Sequence, residues 1–278
     1  MVAEVRGELR ASDGTTLATA AWVPEAPKAV ALLAHGHAEH IGRYGHVIDA
    51  LVADGYGVYG QDHRGHGRSS GERALAMRFD DFVDDFRLIA GEARTAHPGL
   101  PVALIGHSMG GLIAARYALA HGDDLTALVT SGAAFIVDEG VPGWQKGLAR
   151  LVARIAPKAP VPRDDADTLS YDPAVKAAFK ADPLTYNGKT RMRTAMEMAS
   201  AGADALQRAG LLHLPYLGMH GADDTLTSPR GTGEFYERAG SLDKTLKLWP
   251  HMKHEIFNEI DRDRVIAYML GWLDERLS

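Results

Sequence analysis

After its leading lysine, the segment Lys28–Ala34 (KAVALLA) is an unbroken apolar run, closed by Pro27 upstream and His35 downstream. A run without polar alternation predicts a central strand buried on both faces. Residues 43–53 predict a helix that stops before Gly55, and Tyr56–Asp62 a second strand interrupted by Gly57 and Gly60. In Phe79–Ala96 the residues Phe79, Phe82, Val83, Phe86 and Ile89 recur at three- and four-residue steps with acidic residues between them. That is the pattern of an amphipathic helix, and Pro98-Gly99 ends it. Pro101–Ile105 then reads as a strand, Met109–Leu119 as a helix and Leu125–Thr130 as a strand. Two short strands around a turn at Ser12-Asp13-Gly14 precede them all, within residues 4–22. Buried strands alternating with helices predict an α/β fold: a mostly parallel central sheet with helices on both faces.

The alternation stops at Ala133. Up to Gly210 the pattern is helical, in Trp144–Ile155, Pro173–Phe179 and Thr190–Gln207, with breaks at Pro157–Pro162 and Asp182-Pro183. It resumes with a strand at Leu214–Met219, a helix at Arg230–Ala239, a strand at Thr245–Trp249 and a helix at Asp261–Leu277. The interruption predicts an insertion. Residues 1–133 and 211–278 would form the core, and 134–210 a helical cap. Within the cap, Leu148, Leu151, Val152 and Ile155 share one helix face. Leu148, Leu151 and Ile155 are therefore candidates for an apolar pocket, unless they serve the cap's own core.

Composition narrows the function classes. The chain has 278 residues, 46% of them hydrophobic and 24% charged, an ordinary globular balance. A formal net charge of −6 and the lack of a dense Lys/Arg run argue against nucleic acid as a partner. Lys189, Arg191 and Arg193 read as an exposed helix face. There is no cysteine, which removes disulfides, thiolate chemistry and cysteine-ligated zinc. The N-terminal MVAEVRGELR lacks a signal-peptide core, and no run approaches the ~18–20 apolar residues of a membrane span. A cytoplasmic protein is expected. The histidines show no metal-ligand spacing with carboxylates, so neither a metal nor a cofactor is assigned.

The chemistry begins at Gly106-His107-Ser108-Met109-Gly110, a G-x-S-x-G string between a predicted strand and a predicted helix. In that context it reads as a nucleophile elbow. Gly106 and Gly110 remove side chains where backbones approach, and Ser108 is left at the tip. His107 points away and is read as packed. A serine hydroxyl needs a base, and a histidine base needs a carboxylate to orient it. The elbow hydrolases place them in the order Ser, acid, His, each beyond a late strand. Strand 214–219 ends in His220-Gly221-Ala222-Asp223-Asp224, and strand 245–249 in Pro250-His251-Met252-Lys253-His254-Glu255. Asp223 against Asp224, and His251 against His254, remain open on these grounds. The spare histidine is expected to face solvent. Backbone N–H groups of Met109 and of His37, in the turn after strand 28–34, would hold a developing oxyanion. Asp62 and Arg64 read as ties within a glycine-rich loop.

Taken together, these strings resemble the monoacylglycerol lipases, within the α/β-hydrolases that also include lysophospholipases and serine aminopeptidases. The resemblance rests on His35-Gly36 with Glu39-His40 and Arg43-Tyr44, on Asp62–Ser69 (DHRGHGRS) with Gly71-Glu72-Arg73, and on Pro98–Gly111 (PGLPVALIGHSMGG). It continues in Asp182-Pro183-Leu184, in His220-Gly221-x-x-Asp224 and in His254-Glu255-x-Phe257-Asn258-Glu259. It implies an α/β-hydrolase fold with an inserted cap, Asp224 as the acid, His254 as the base, and His37 and Met109 as the oxyanion donors. Relatives usually carry Gly-x-Gly-Glu-His where this chain has Gly36-His37-Ala38-Glu39-His40. Ala38 then either accepts a strained backbone or shifts the loop.

The function implied is hydrolysis of monoacylglycerol to glycerol and fatty acid through an acyl-enzyme. Lysophospholipase and broad carboxylesterase readings use the same machinery. A serine aminopeptidase would need a cap carboxylate for the free amine, with Glu139, Glu197 and Asp182 as candidates. A non-enzymatic binding protein would not need the full Ser, Asp and His set. The partner expected is a lipid ester, met by a monomer or homodimer that touches membranes or micelles transiently through its cap.

Overall fold

The computed structural model describes residues 2–161 and 168–277. Eight strands form one sheet in the order β1-β2-β4-β3-β5-β6-β7-β8. They are β1 (Val5–Arg10), β2 (Thr16–Trp22), β3 (Ala29–Ala34), β4 (Tyr56–Gln61), β5 (Val102–His107), β6 (Ala127–Ser131), β7 (Tyr216–Gly221) and β8 (Lys244–Trp249). The β1–β2 and β2–β4 pairs are antiparallel and all others parallel. The fold is that of the α/β-hydrolases, with an inserted helical cap.

Alternate residues of the central strands feed two separate cores, as the two-residue period of a strand requires. Val30, Leu32 and Ala34 of β3 join Val102 and Leu104 of β5 on one face. There they meet α2 (Asp80–Ala96), α3 (Met109–His121), the second half of α6 (Met192–Arg208) and Phe235 of α7 (Pro229–Arg238). Ala29, Ala31, Leu33, Ala103 and Ile105 point to the other face, against α1 (Gly45–Ala53) and α8 (Arg262–Leu277). This double-sided burial is why β3 and β5 show no polar alternation.

Between β6 and β7 lie α4 (Gly143–Ile155), α5 (Pro173–Ala181) and α6. Met198, Ala201, Ala205 and Leu206 of α6 belong to the main core, so this helix carries the insertion back into the sheet layer. One local expectation is corrected. Lys189 and Arg191 precede α6 rather than lying on it; Arg191 pairs across an isolated bridge with Pro160. Arg193 does lie on α6, and there it bonds the Met77 carbonyl and Glu197. Of the break Pro157–Pro162, Pro162 lies outside the described residues. Among the described residues no helix is long and apolar enough to cross a membrane.

Candidate active site

β5 ends at His107 and α3 begins at Met109, leaving Ser108 alone in the turn. Its φ of 54° and ψ of −119° lie outside the regions L-residues favour. Neighbours hold it there: the Ser108 N–H donates to the Ser131 carbonyl at 2.9 Å, and its own carbonyl accepts from Leu112 and Ala134. A methyl group at Gly110 would run into the carbonyl oxygens of Ala34 and His35, and one at Gly106 into that of Gly110. Only glycine fits where this strand and helix cross.

From that tip, Ser108 Oγ lies 2.8 Å from His254 Nε2, and His254 Nδ1 lies 2.7 Å from Asp224 Oδ2. The strand ends place both partners, Asp224 just past β7 and His254 past β8. Burial alone would push the His254 imidazole down. The charge and hydrogen bond of Asp224 outweigh it, and the group stands above the ordinary histidine value. Burial would raise Asp224, but bonds from His254 and His220 hold its carboxyl far below the usual range. Asp223 is partly exposed and accepts from the Tyr171 hydroxyl, and His251 is exposed with φ 57°.

Two neighbours escaped the sequence reading. His220 Nε2 donates to the same Asp224 oxygen at 2.9 Å, and Thr227 Oγ1 does so at 2.9 Å. The Leu226 and Thr227 N–H groups satisfy the other oxygen. The Asp224 carboxylate is thus fixed as an acceptor on every side, which fixes the imidazole it serves. The only trace of His220 in the sequence is its place at the head of the H-G-x-x-D string.

Met109 opens α3, so its N–H has no place in the helical ladder. Gly36, His37 and Ala38 line one cavity together with Ser108 and His254. Ala38 has φ 66°, so this loop takes the strained left-handed form, at a cost of about 1 kcal/mol for an alanine. The His37 ring lines the cavity and stands edge-on to His66, 5.4 Å away between centroids. His107 is buried, its ring 4.8 Å from that of His254. Burial and the neighbouring His254 hold it down at about 4, which leaves it neutral at pH 7.

Behind the site lies an ionic cluster that the sequence reading also missed. Arg43 pairs with Glu39 and, through both terminal nitrogens, with Glu255 at 3.0 and 2.8 Å. Glu39 also accepts from the Tyr44 hydroxyl at 2.6 Å and from the Gly36 N–H. All three ionic side chains are at most 10% exposed. The cluster joins the turn after β3 to the residue following His254. Asp62 and Arg64 tie loops, as expected: Asp62 accepts from Ile41 and Arg68, and Arg64 grips Asp85.

The cavity above Ser108 measures about 260 Å³. Ala134, Val137, Leu169, Phe179, Met198 and Leu226 give it apolar walls, and Lys176, Lys180 and Asn187 stand on its cap side. Leu148, Leu151 and Ile155 do not line it. They are 54%, 55% and 74% exposed on the outer face of α4, because α4 packs on α6 through its opposite, small-residue face at Ala153. The three carboxylates considered for an amine site lie elsewhere too. Glu139 pairs with Arg230, Glu197 with Arg193, and Asp182 with His40. Among the described residues no group of side chains could hold a metal ion.

A family model described as serine aminopeptidase, S33, matches residues 25–261. The chain is 39% identical over 280 residues to a monoacylglycerol lipase of Mycolicibacterium smegmatis, covering all of both chains. Among solved structures it is similar to a Paleococcus ferrophilus monoacylglycerol lipase, at 27% identity, TM-score 0.82 and 99% coverage of each chain. It is similar also to a soluble variant of the Saccharomyces cerevisiae monoglyceride lipase bound to a substrate analog. There the identity is 25% and the TM-score 0.86, with 100% of this chain and 97% of that one covered.

Proposed function

The chain belongs to the monoacylglycerol lipase family of serine hydrolases, in the S33-like branch of the α/β-hydrolases, and from that premise we propose that it cleaves monoacylglycerol to glycerol and a free fatty acid. The observation that carries this reading is the relay from Ser108 Oγ through His254 to Asp224, at the floor of an apolar cavity roofed by the cap.

In this mechanism Ser108 Oγ attacks the acyl carbon as its proton passes to His254 Nε2. Asp224 keeps the other ring nitrogen protonated and stabilises the imidazolium. The N–H groups of Met109 and His37 receive the oxyanion. His254 returns the proton to the leaving glycerol oxygen. It next takes a proton from water as the water oxygen adds to the acyl carbon, and it hands that proton to Ser108 Oγ as the bond to the fatty acid breaks. Gly106, His107 and Gly110 shape the elbow. The acyl chain runs along Val137, Leu169, Phe179, Met198 and Leu226.

The cap, proposed as residues 134–210 inserted between 1–133 and 211–278, contributes the roof and a surface. Trp144, Leu148, Leu151 and Ile155 form an exposed ridge, 54–74% accessible, with Arg150 and Arg154 beside it. An apolar ridge flanked by cations suits the surface of an anionic bilayer or micelle, where the lipid substrate resides. The reading is of a cytoplasmic monomer or homodimer that visits membranes through α4. Lys176 and Lys180 on the cavity wall support a second reading, a lysophospholipid whose phosphate would meet them.

Release of fatty acid from monoacylglycerols of graded chain length tests the choice, with lysophosphatidylcholine, lysophosphatidic acid and a short p-nitrophenyl ester alongside. Ser108→Ala provides the blank. Fastest turnover of a monoacylglycerol is expected. Faster turnover of a lysophospholipid would replace that substrate and keep the mechanism.

A further inference from the structure

Position 38 carries an alanine in a left-handed conformation, φ 66°, and its carbonyl is held from the cap: the Tyr186 N–H donates to Ala38 O at 2.8 Å. One turn away, His40 Nδ1 accepts from the Gly42 N–H at 3.2 Å, so the proton sits on Nε2, which donates to Asp182 Oδ2 at 2.8 Å. Asp182 is built to receive it. Its other oxygen accepts from the Leu184 N–H at 2.8 Å, and the backbone carbonyl of Asp182 receives the Thr185 N–H. This makes Asp182-Pro183-Leu184 a closed turn that delivers Tyr186 to Ala38. From below, Glu39 holds the Gly36 N–H. The segment from Gly36 to His40 is therefore gripped on two sides, once by the core and once by the cap.

Only the grip from the cap acts on the strained residue. Relaxing Ala38 to a negative φ would turn the chain about the Ala38 N–Cα bond; with the Ala38 carbonyl side held, it is the preceding chain, the Gly36–His37 peptide and its His37 N–H included, that would be displaced. A glycine at 38 would rest in the observed conformation unaided. We propose that Asp182 and Tyr186 are positioning residues of the oxyanion loop, and that they are needed because this chain carries alanine at position 38. The inference rests on the reading of His37 as an oxyanion donor. It makes the cap segment after α5 part of the catalytic geometry as well as a roof.

The test is a double-mutant cycle on Asp182→Ala and Ala38→Gly. It is read on a soluble p-nitrophenyl ester and on a trifluoromethyl ketone. Ser108 Oγ adds to the ketone carbonyl with its proton passing to His254, and the resulting oxyanion needs the same N–H donors. Asp182→Ala is expected to lower kcat by about tenfold, a fraction of the loss from deleting a donor, with KM within about twofold. Ketone affinity should fall by a similar factor. Whatever the activity of Ala38→Gly itself, the double variant should stay within about threefold of it, so that the loss from Asp182→Ala is confined to the alanine background. An equal loss from Asp182→Ala in both backgrounds would overturn the proposal. So would a loss confined to KM, or an unchanged ketone affinity. Should Asp182→Ala fail to fold, Asp182→Asn keeps one acceptor oxygen and enters the same cycle, with melting temperatures beside the kinetics. Wild-type turnover of the p-nitrophenyl ester without any of monoacylglycerol would sink the substrate reading and leave this test standing.

Discussion

The two outer helices of the cap have comparable apolar patterns and opposite attachments. α4 turns Trp144, Leu148, Leu151 and Ile155 to solvent and packs on α6. α5 is tied at one end to the loop that bears His254 and at the other to the turn after β3 that lines the same cavity. Before it, the Leu169 carbonyl accepts from the N–H of Glu255, next to His254, while Ser170 Oγ and the Tyr171 N–H bond the buried Glu259. After it, Asp182 and Tyr186 bond His40 and Ala38. Between the two, Phe179 lies 4.9 Å from the Arg43 guanidinium. The difference teaches that an amphipathic stripe announces that a face seeks cover and does not say from what. α4 leaves its apolar face exposed. α5 spends its contacts on geometry.

The sharpest way to break this contrast is at Arg43, where the α5 side meets the core. Arg43→Met leaves Glu39 and Glu255 buried without a counter-charge and should cost about 3–5 kcal/mol of stability, read from denaturant unfolding. If the loss is below about 1 kcal/mol, the cluster is not what joins the two catalytic loops.

A change on α4 should act in a different place. Leu148→Ser with Leu151→Ser removes exposed apolar surface, so the melting temperature and the turnover of a soluble ester should hold. Binding to anionic vesicles, measured by sedimentation, should weaken by roughly one to two orders of magnitude. Equal vesicle binding by the variant would detach α4 from the lipid surface.

The finest distinction concerns pH. His254 must be neutral to act as base, and its value is raised, so activity should fall, as pH drops, at a higher pH than an ordinary histidine would dictate. Burial lowers it, Asp224 raises it more, and the charge of Glu255 raises it further. Glu255→Gln removes that last contribution, and the acid limb of kcat/KM should move to lower pH. The α4 double variant should leave the limb where it is. A limb that moves with α4 and not with Glu255 would reverse the roles given to the two sides of the cap.

Much of the molecule could be read in advance. β3 and β5 declared themselves because strands buried on both faces leave no room for polar alternation, and α2 because one helix face meets the core. Ser108 was legible because the turn between β5 and α3 tolerates only glycine at 106 and 110, a local demand written into adjacent positions. From the residues alone the acid and the base were legible only as pairs, and the family resemblance singled out Asp224 and His254. Asp223 and Asp224 are equivalent by position, and what separates them is the pocket of His220, Thr227 and His254 around one of them.

The rest depended on contacts between distant segments. Leu148, Leu151 and Ile155 have the spacing of a pocket wall and face solvent, because α6 meets the opposite side of α4. The Arg43, Glu39 and Glu255 cluster joins residues more than two hundred positions apart. Nor does any pattern in the cap announce that Tyr186 will hold Ala38. Periodicity is a property of one element and is set by local backbone geometry, so the sequence by itself determined the strands, the helices and the elbow. Which faces are covered, which charges meet and which loop holds which depend on how the chain returns upon itself, and only the tertiary structure decided them.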